Sequence, residues 1–163
     1  MAKVTFENRT VVVTGAGNGL GKAYALDLGA RGAKVVVNDL GGAVDGSGSG
    51  STPADEVVNE IIANGGEAVA NYDSVATREG GESIIQTAID NFGTVDAVVN
   101  NAGILRDKSF ANMSEEELSL IIDVHLKGTF YVSQPAFKVM KENAYGRIVN
   151  VASPSGLFGN FGQ

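Results

Sequence analysis

Short runs of valine and isoleucine recur along the chain, separated by stretches in which apolar residues return every three or four positions. Thr10-Val11-Val12-Val13, Lys34-Val35-Val36-Val37-Asn38, Glu67-Ala68-Val69-Ala70, Val95-Asp96-Ala97-Val98-Val99 and Arg147-Ile148-Val149-Asn150-Val151 read as five strands. Apolar runs without in-out alternation imply burial on both faces, which predicts a parallel sheet sandwiched between helices and joined by right-handed crossovers. Thr52-Pro53-Ala54-Asp55 offers a helix cap, a proline at the first helical position and a closing acid, and Val57, Val58, Ile61 and Ile62 then form one helical face that Gly65 and Gly66 stop. Ile84, Ile85, Ala88, Ile89 and Phe92 mark a further helix ending at Gly93. Ser114-Glu115-Glu116-Glu117 is a capping box opening a helix that carries Leu118, Ile121 and Ile122 and runs on to Met140. Pro135 predicts a kink there, because its ring crowds the carbonyl of Tyr131.

The connection after the first strand changes the picture from fold to chemistry. Thr14-Gly15-Ala16-Gly17-Asn18-Gly19-Leu20-Gly21 leads from a strand into a helix-patterned stretch, with the spacing T-G-x-x-x-G-x-G. Glycines let the backbone approach an anion with no Cβ in the way, and the free amides of the following helix attract it, so this turn is a pyrophosphate site. Asp39 closes the second strand about 20 residues beyond, where a carboxylate accepts hydrogen bonds from an adenosine ribose. The expected fold is therefore α/β: a Rossmann-type doubly wound parallel sheet of about five strands with helices on both faces, forming one domain over residues 1–163. The glycine and serine run Gly41–Ser51 reads as a long loop inside this pattern and not as a domain boundary.

Composition narrows the partners. With 163 residues, 44% of them hydrophobic, and a mean hydropathy near zero, the chain has the makings of a globular domain with a real core. A net charge of −7 argues against nucleic-acid or anionic-membrane surfaces, so a polyanionic ligand has to be held locally. No apolar stretch is long enough to span a bilayer, and Met1–Thr5 lacks the apolar core of a signal peptide, which predicts an intracellular protein. The absence of cysteine and the single histidine, His125, predict no metal site.

Taken together, Thr14 to Gly21, Asp39, Asn100-Asn101-Ala102-Gly103 and the Ser153 segment resemble the short-chain dehydrogenase/reductase family. Val37–Gly42, Asn71–Val75, Asn101–Asp107 and Gly156–Gln163 look within it like the (3R)-hydroxyacyl-CoA dehydrogenase group of peroxisomal multifunctional enzymes. The resemblance implies NAD as cofactor, an acyl-CoA substrate of fatty-acid β-oxidation, a homodimer or higher homo-oligomer, and a peroxisomal location in a eukaryote or a cytoplasmic one in a bacterium. It implies that Thr14, Gly15, Asn18, Gly19, Leu20 and Gly21 surround the pyrophosphate and that Asp39 holds the adenosine ribose. Asp73 and Ser74 would face the adenine, Asn100, Ala102 and Gly103 would line the nicotinamide side, and Ser153 would hydrogen-bond the substrate oxygen.

Two departures from the family pattern matter. His125 lies where most of the wider family has an asparagine of a proton relay, and is either a relay member or a polar residue closing a bent helix. The family's Tyr-x-x-x-Lys motif, with tyrosine as general acid/base, is expected just after Gln163. Tyr24, Tyr72, Tyr131 and Tyr145 do not replace it, since none has lysine four residues later. The sheet is accordingly expected to be incomplete at its C-terminal end, with Arg147–Val151 an uncovered edge that pairs with another chain or a domain-completing partner. A catalytically silent nucleotide-binding or assembly module and an NADPH-dependent 3-ketoacyl reductase are the alternatives. Asp39 and the uncharged Asn18 count against the latter, because a 2′-phosphate calls for a cation.

Overall fold

The computed structural model describes residues 4–42 and 52–162, so most of the predicted Gly41–Ser51 loop, from residue 43 on, lies outside the described residues. Five strands, β1 (Thr10–Thr14), β2 (Lys34–Asn38), β3 (Glu67–Asn71), β4 (Ala97–Asn100) and β5 (Arg147–Asn150), form one sheet in the order β3-β2-β1-β4-β5. Every pairing is parallel, and the register sets Val69, Val36, Val12, Val98 and Ile148 side by side.

The valine runs are explained by what covers each face. Val11, Val13, Val35 and Val37 point to one side and pack with Ala25 of α1 (Gly19–Ala30) and with Val57 and Ile61 of α2 (Thr52–Ala63). Val12, Val36 and Val98 point to the other and meet Ile84, Ile85 and Ala88 of α3 (Arg78–Phe92) and Val132, Ala136 and Met140 of α5 (Gly128–Glu142). A strand buried on both sides needs an apolar residue at every position, which is why alternation is missing from the sequence.

Helix ends follow the local chemistry. Thr77 accepts from the Gly80 amide at 3.0 Å to start α3, and Gly93 ends it in the left-handed region at φ 79°. The Ser114–Glu117 capping box is formed, and α4 (Glu115–Ile121) begins there. The single helix expected from Ser114 to Met140 is interrupted by a π-helical turn over Ile122–Lys127, while α5 continues through Pro135. An inserted π turn rotates all that follows, so α4 and α5 present different faces. α6 (Ser155–Phe158) is one short turn after β5.

β1, β2 and β3 run outward in one direction, and the chain then crosses back to place β4 on the far side of β1. That reversal opens a crevice at the C-terminal ends of β1 and β4, the position where doubly wound sheets bind ligands. β5 pairs only with β4 and is exposed along its whole length, with Val149 52% exposed.

Candidate dinucleotide-binding cleft

A cleft of about 530 Å³ runs across the C-terminal ends of four strands. Asp73 and Ser74 lie at the β3 end, Asp39 follows β2, the glycine turn follows β1, and Ala102 and Gly103 follow β4. Each glycine in the turn has its own reason to be glycine. Gly15, at φ 61°, would put a Cβ 2.8 Å from the Ala102 Cα; at Gly21 a Cβ would lie 2.1 Å from the Gly15 carbonyl oxygen. Gly19, at φ 55°, has nothing within 4 Å of its Cβ position, so there the requirement is conformational and the surroundings are open. Asn18 precedes α1 without capping it through its side chain, and no acidic residue occupies the first helical turn. The amides of Gly19, Leu20 and Gly21 therefore face the cleft end of the helix with no intrahelical acceptor, as an anion requires.

Among the described residues, the charged groups lining the cleft are the carboxylates of Asp39 and Asp73. Asp39 accepts the Gly17 amide at 2.7 Å on Oδ2 and the Gly41 amide at 2.7 Å on Oδ1, locking the glycine turn to the end of β2. Each oxygen retains a lone pair for a ribose hydroxyl. Pro53 and the Asp39 carboxylate close on Gly17, whose Cβ would lie 2.7 Å from Pro53 Cβ. No lysine or arginine lines the cleft among the described residues.

Of the sequence-predicted site residues, Gly15, Asn18, Gly19, Leu20, Gly21, Asp39, Asp73, Ser74, Ala102 and Gly103 line this one cleft. Four others do not. Thr14 is 1% exposed and sits beneath the turn, its Oγ1 accepting the Asn101 and Ala102 amides at 3.1 and 3.0 Å. Asn100 is likewise buried under the cleft floor, donating to Ser133 Oγ and Asn150 Oδ1 at 2.9 Å each. Both are tethers between strands β1, β4 and β5 in this structure. His125 lies in the π turn with Nε2 3.1 Å from the Ile104 amide and 2.9 Å from the Ile104 carbonyl oxygen, so its ring braces the segment after Gly103. Ser153 Oγ accepts the Ser155 amide at 3.2 Å, a local turn after β5.

Asn101 was missed by the sequence reading. Its Nδ2 donates to the carbonyl oxygens of Thr14 and Gly15, at 3.0 Å each, and so fastens the β4 end to the glycine turn. The available signal was a second asparagine directly after the one that ends β4, a residue whose amide can satisfy the backbone of a neighbouring loop.

An uncapped helix N-terminus beside a glycine turn, with a paired carboxylate next along the cleft, fits the pyrophosphate and ribose of a dinucleotide. Among the described residues no helix is long and apolar enough to cross a membrane, and no cluster of three metal-ligating side chains is present. The family model described as "short chain dehydrogenase" matches residues 9–163. The chain is 60% identical over 160 residues to the peroxisomal hydratase-dehydrogenase-epimerase of Saccharomyces cerevisiae and 57% identical over 158 residues to the peroxisomal multifunctional enzyme type 2 of Mus musculus. Those matches cover 98% and 97% of this chain but only 18% and 21% of the two relatives. The crystal structure of a short chain dehydrogenase from Mycobacterium avium superposes with a TM-score of 0.88 at 47% identity, covering 98% of this chain and 59% of that one. The chain belongs to the short chain dehydrogenase family.

Proposed function

We propose that this chain is the cofactor-binding portion of an NAD-dependent oxidoreductase acting on the hydroxyl of a (3R)-hydroxyacyl-CoA in fatty-acid β-oxidation. The observation that carries the cofactor reading is Asp39, which stands beside the glycine turn with both oxygens fixed by backbone amides in a cleft where no described lining residue is cationic. A 2′-hydroxyl completes such a carboxylate, whereas a 2′-phosphate meets an uncompensated negative charge. The substrate class rests on the likeness to the peroxisomal relatives, and the same likeness supports a peroxisomal or, in a bacterium, cytoplasmic location.

Bound NAD supplies the hydride acceptor; the chain's own residues bind and orient it. The α1 amides hold the pyrophosphate, Asp39 the adenosine ribose, and Ala102 and Gly103 the nicotinamide side. By its likeness to the family serine, Ser153 would hydrogen-bond the substrate oxygen. No tyrosine of this chain has lysine four residues later, so none of its own tyrosines matches the family's general acid/base motif.

Calorimetric titration with NADH and NADPH tests the reading, with NADH expected to bind at least tenfold tighter and Asp39→Ala expected to erase the difference. Equal affinities in the parent chain would favour the reductase alternative. A steady-state assay with NAD and a (3R)-hydroxyacyl-CoA is expected at background; turnover abolished by Ser153→Ala would overturn the assignment of this chain as the binding portion only.

A further inference from the structure

Asparagine is followed by glycine at Asn18-Gly19 and at Asn64-Gly65. Such a pair is chemically fragile. A deprotonated glycine amide, with no Cβ beside it, can attack the preceding side-chain amide: its nitrogen bonds to Cγ, the Cγ–Nδ2 bond breaks and Nδ2 leaves as ammonia. Water then opens the resulting succinimide at either carbonyl and leaves an aspartate or an isoaspartate. The two pairs sit in opposite conditions. At Asn64 both reacting groups are engaged: Nδ2 donates to the Glu60 carbonyl at 2.9 Å, and the Gly65 amide donates to the Ile62 carbonyl at 2.9 Å. Asn18 is exposed, makes no capping bond through its side chain, and precedes the Gly19 amide, which has no intrahelical acceptor. Nothing lies within 4 Å of the Gly19 Cβ position, so the turn has room to close the ring. Closure turns the Asn18–Gly19 peptide away from its extended ψ of 171° and gives up one bond, from the Lys22 amide to the Asn18 carbonyl at 3.1 Å.

We propose that Asn18-Gly19 is a deamidation site whose reaction shuts the cofactor cleft to an anion, and that a bound dinucleotide protects it. The inference rests on the dinucleotide reading above. Asn18 and Gly19 both line the cleft, and the Gly19 amide that attacks in the first step is one of those offered to the pyrophosphate. A pyrophosphate held there keeps that amide protonated and its peptide in place, so only the empty site reacts. The product excludes the ligand. Position 18 is the N-cap of α1, and a carboxylate there accepts the first-turn amides and complements the helix dipole. It takes the donors a pyrophosphate would use and adds negative charge to a cleft already lined by Asp39 and Asp73. Isoaspartate also lengthens the backbone within the turn, where Gly21 packs against the Gly15 carbonyl. The empty chain therefore loses cofactor affinity with age while keeping its fold.

The test incubates the purified chain at mildly alkaline pH and physiological temperature, with and without NADH, and follows each asparagine by peptide mass spectrometry. In the free chain Asn18 is expected to convert severalfold faster than Asn64. NADH at about ten times its dissociation constant is expected to slow Asn18 about tenfold and leave Asn64 unchanged, as linkage requires when only the empty site reacts. Calorimetric titration of Asn18→Asp is expected to show NADH affinity at least about tenfold below the parent, with a urea midpoint no lower than the parent's. Conversion of Asn64 as fast as Asn18, no slowing of Asn18 by NADH, equal slowing of both, or parent-like affinity in Asn18→Asp would overturn the proposal. A lowered urea midpoint in Asn18→Asp would overturn it too, by showing that affinity goes with the fold. A fresh parent chain that binds no NADH would overturn the dinucleotide reading itself, an outcome distinct from binding without protection.

Discussion

Replacing Gly21 by alanine inserts one carbon where three atoms already stand: the Gly15 carbonyl oxygen at 2.1 Å, the Gly15 carbonyl carbon at 2.9 Å and Asn101 Nδ2 at 2.5 Å. None is the free end of a flexible side chain. The Gly15 oxygen is held by Asn101, which also holds Thr14, so relieving the contact by about 1 Å breaks at least one of those bonds. Overpacking of this kind costs about 1–3 kcal/mol and each lost hydrogen bond about 1 kcal/mol net, giving an expected destabilisation of about 2–5 kcal/mol. Gly19→Ala is the control. Its Cβ meets nothing within 4 Å, and only the left-handed φ of 55° is penalised, by about 1–2 kcal/mol. Urea unfolding followed by circular dichroism compares the two, and NADH titration of the folded fraction should show Gly21→Ala the weaker binder. The reasoning fails if Gly21→Ala is no less stable than Gly19→Ala.

Thr14→Val keeps the shape but strips the acceptor from two half-buried amides, Asn101 and Ala102, and should cost about 1–2 kcal/mol in urea unfolding; a loss under 0.5 kcal/mol would show that those amides find other partners. The hydrogen bond from Lys108, followed by the bond from the Ser114 amide, holds the Glu117 carboxyl below the usual glutamate range. Because the folded value is the lowered one, any stability it gives is present above the ordinary glutamate range and is lost as pH falls through that lowered value. Carboxyl NMR titration should find the Glu117 midpoint below the ordinary glutamate value and raised by Lys108→Ala, and no response to that change would remove Lys108 as the cause. Val149→Lys, which places a charge on an exposed side chain of the edge strand β5, should reduce self-association of the chain in sedimentation velocity. A monomeric parent chain, or identical profiles, would mean that this edge does not pair.

Much of this architecture was legible because the sheet is parallel and doubly covered. Val11–Val13 and Val35–Val37 had to be continuous once α1 and α2 lay on one face and α3 and α5 on the other, and continuity is visible in sequence. The glycine turn was equally legible, since its spacing reflects steric limits at Gly15, Gly19 and Gly21. The π turn at Ile122–Lys127 was not, because apolar residues continue at helical spacing through it and no local residue type announces an inserted position. Roles within the site were harder still. Thr14 and Asn100 sit in the right segments, yet one residue of strand pleat decides whether a side chain enters the cleft or the floor beneath it, and that decision put Asn101 where Asn100 was expected.

The central claim is that a dinucleotide lies across the C-terminal ends of β3, β2, β1 and β4. Amide chemical-shift mapping of the ¹⁵N-labelled chain during NADH titration tests it most directly. The account expects shifts confined to Gly15, Asn18–Gly21, Asp39, Asp73, Ser74, Ala102 and Gly103, with Arg9, Asp96 and Arg147 at the opposite end of the sheet unmoved. Shifts centred on Arg9, Asp96 and Arg147, or a spectrum unchanged at millimolar NADH, would contradict it.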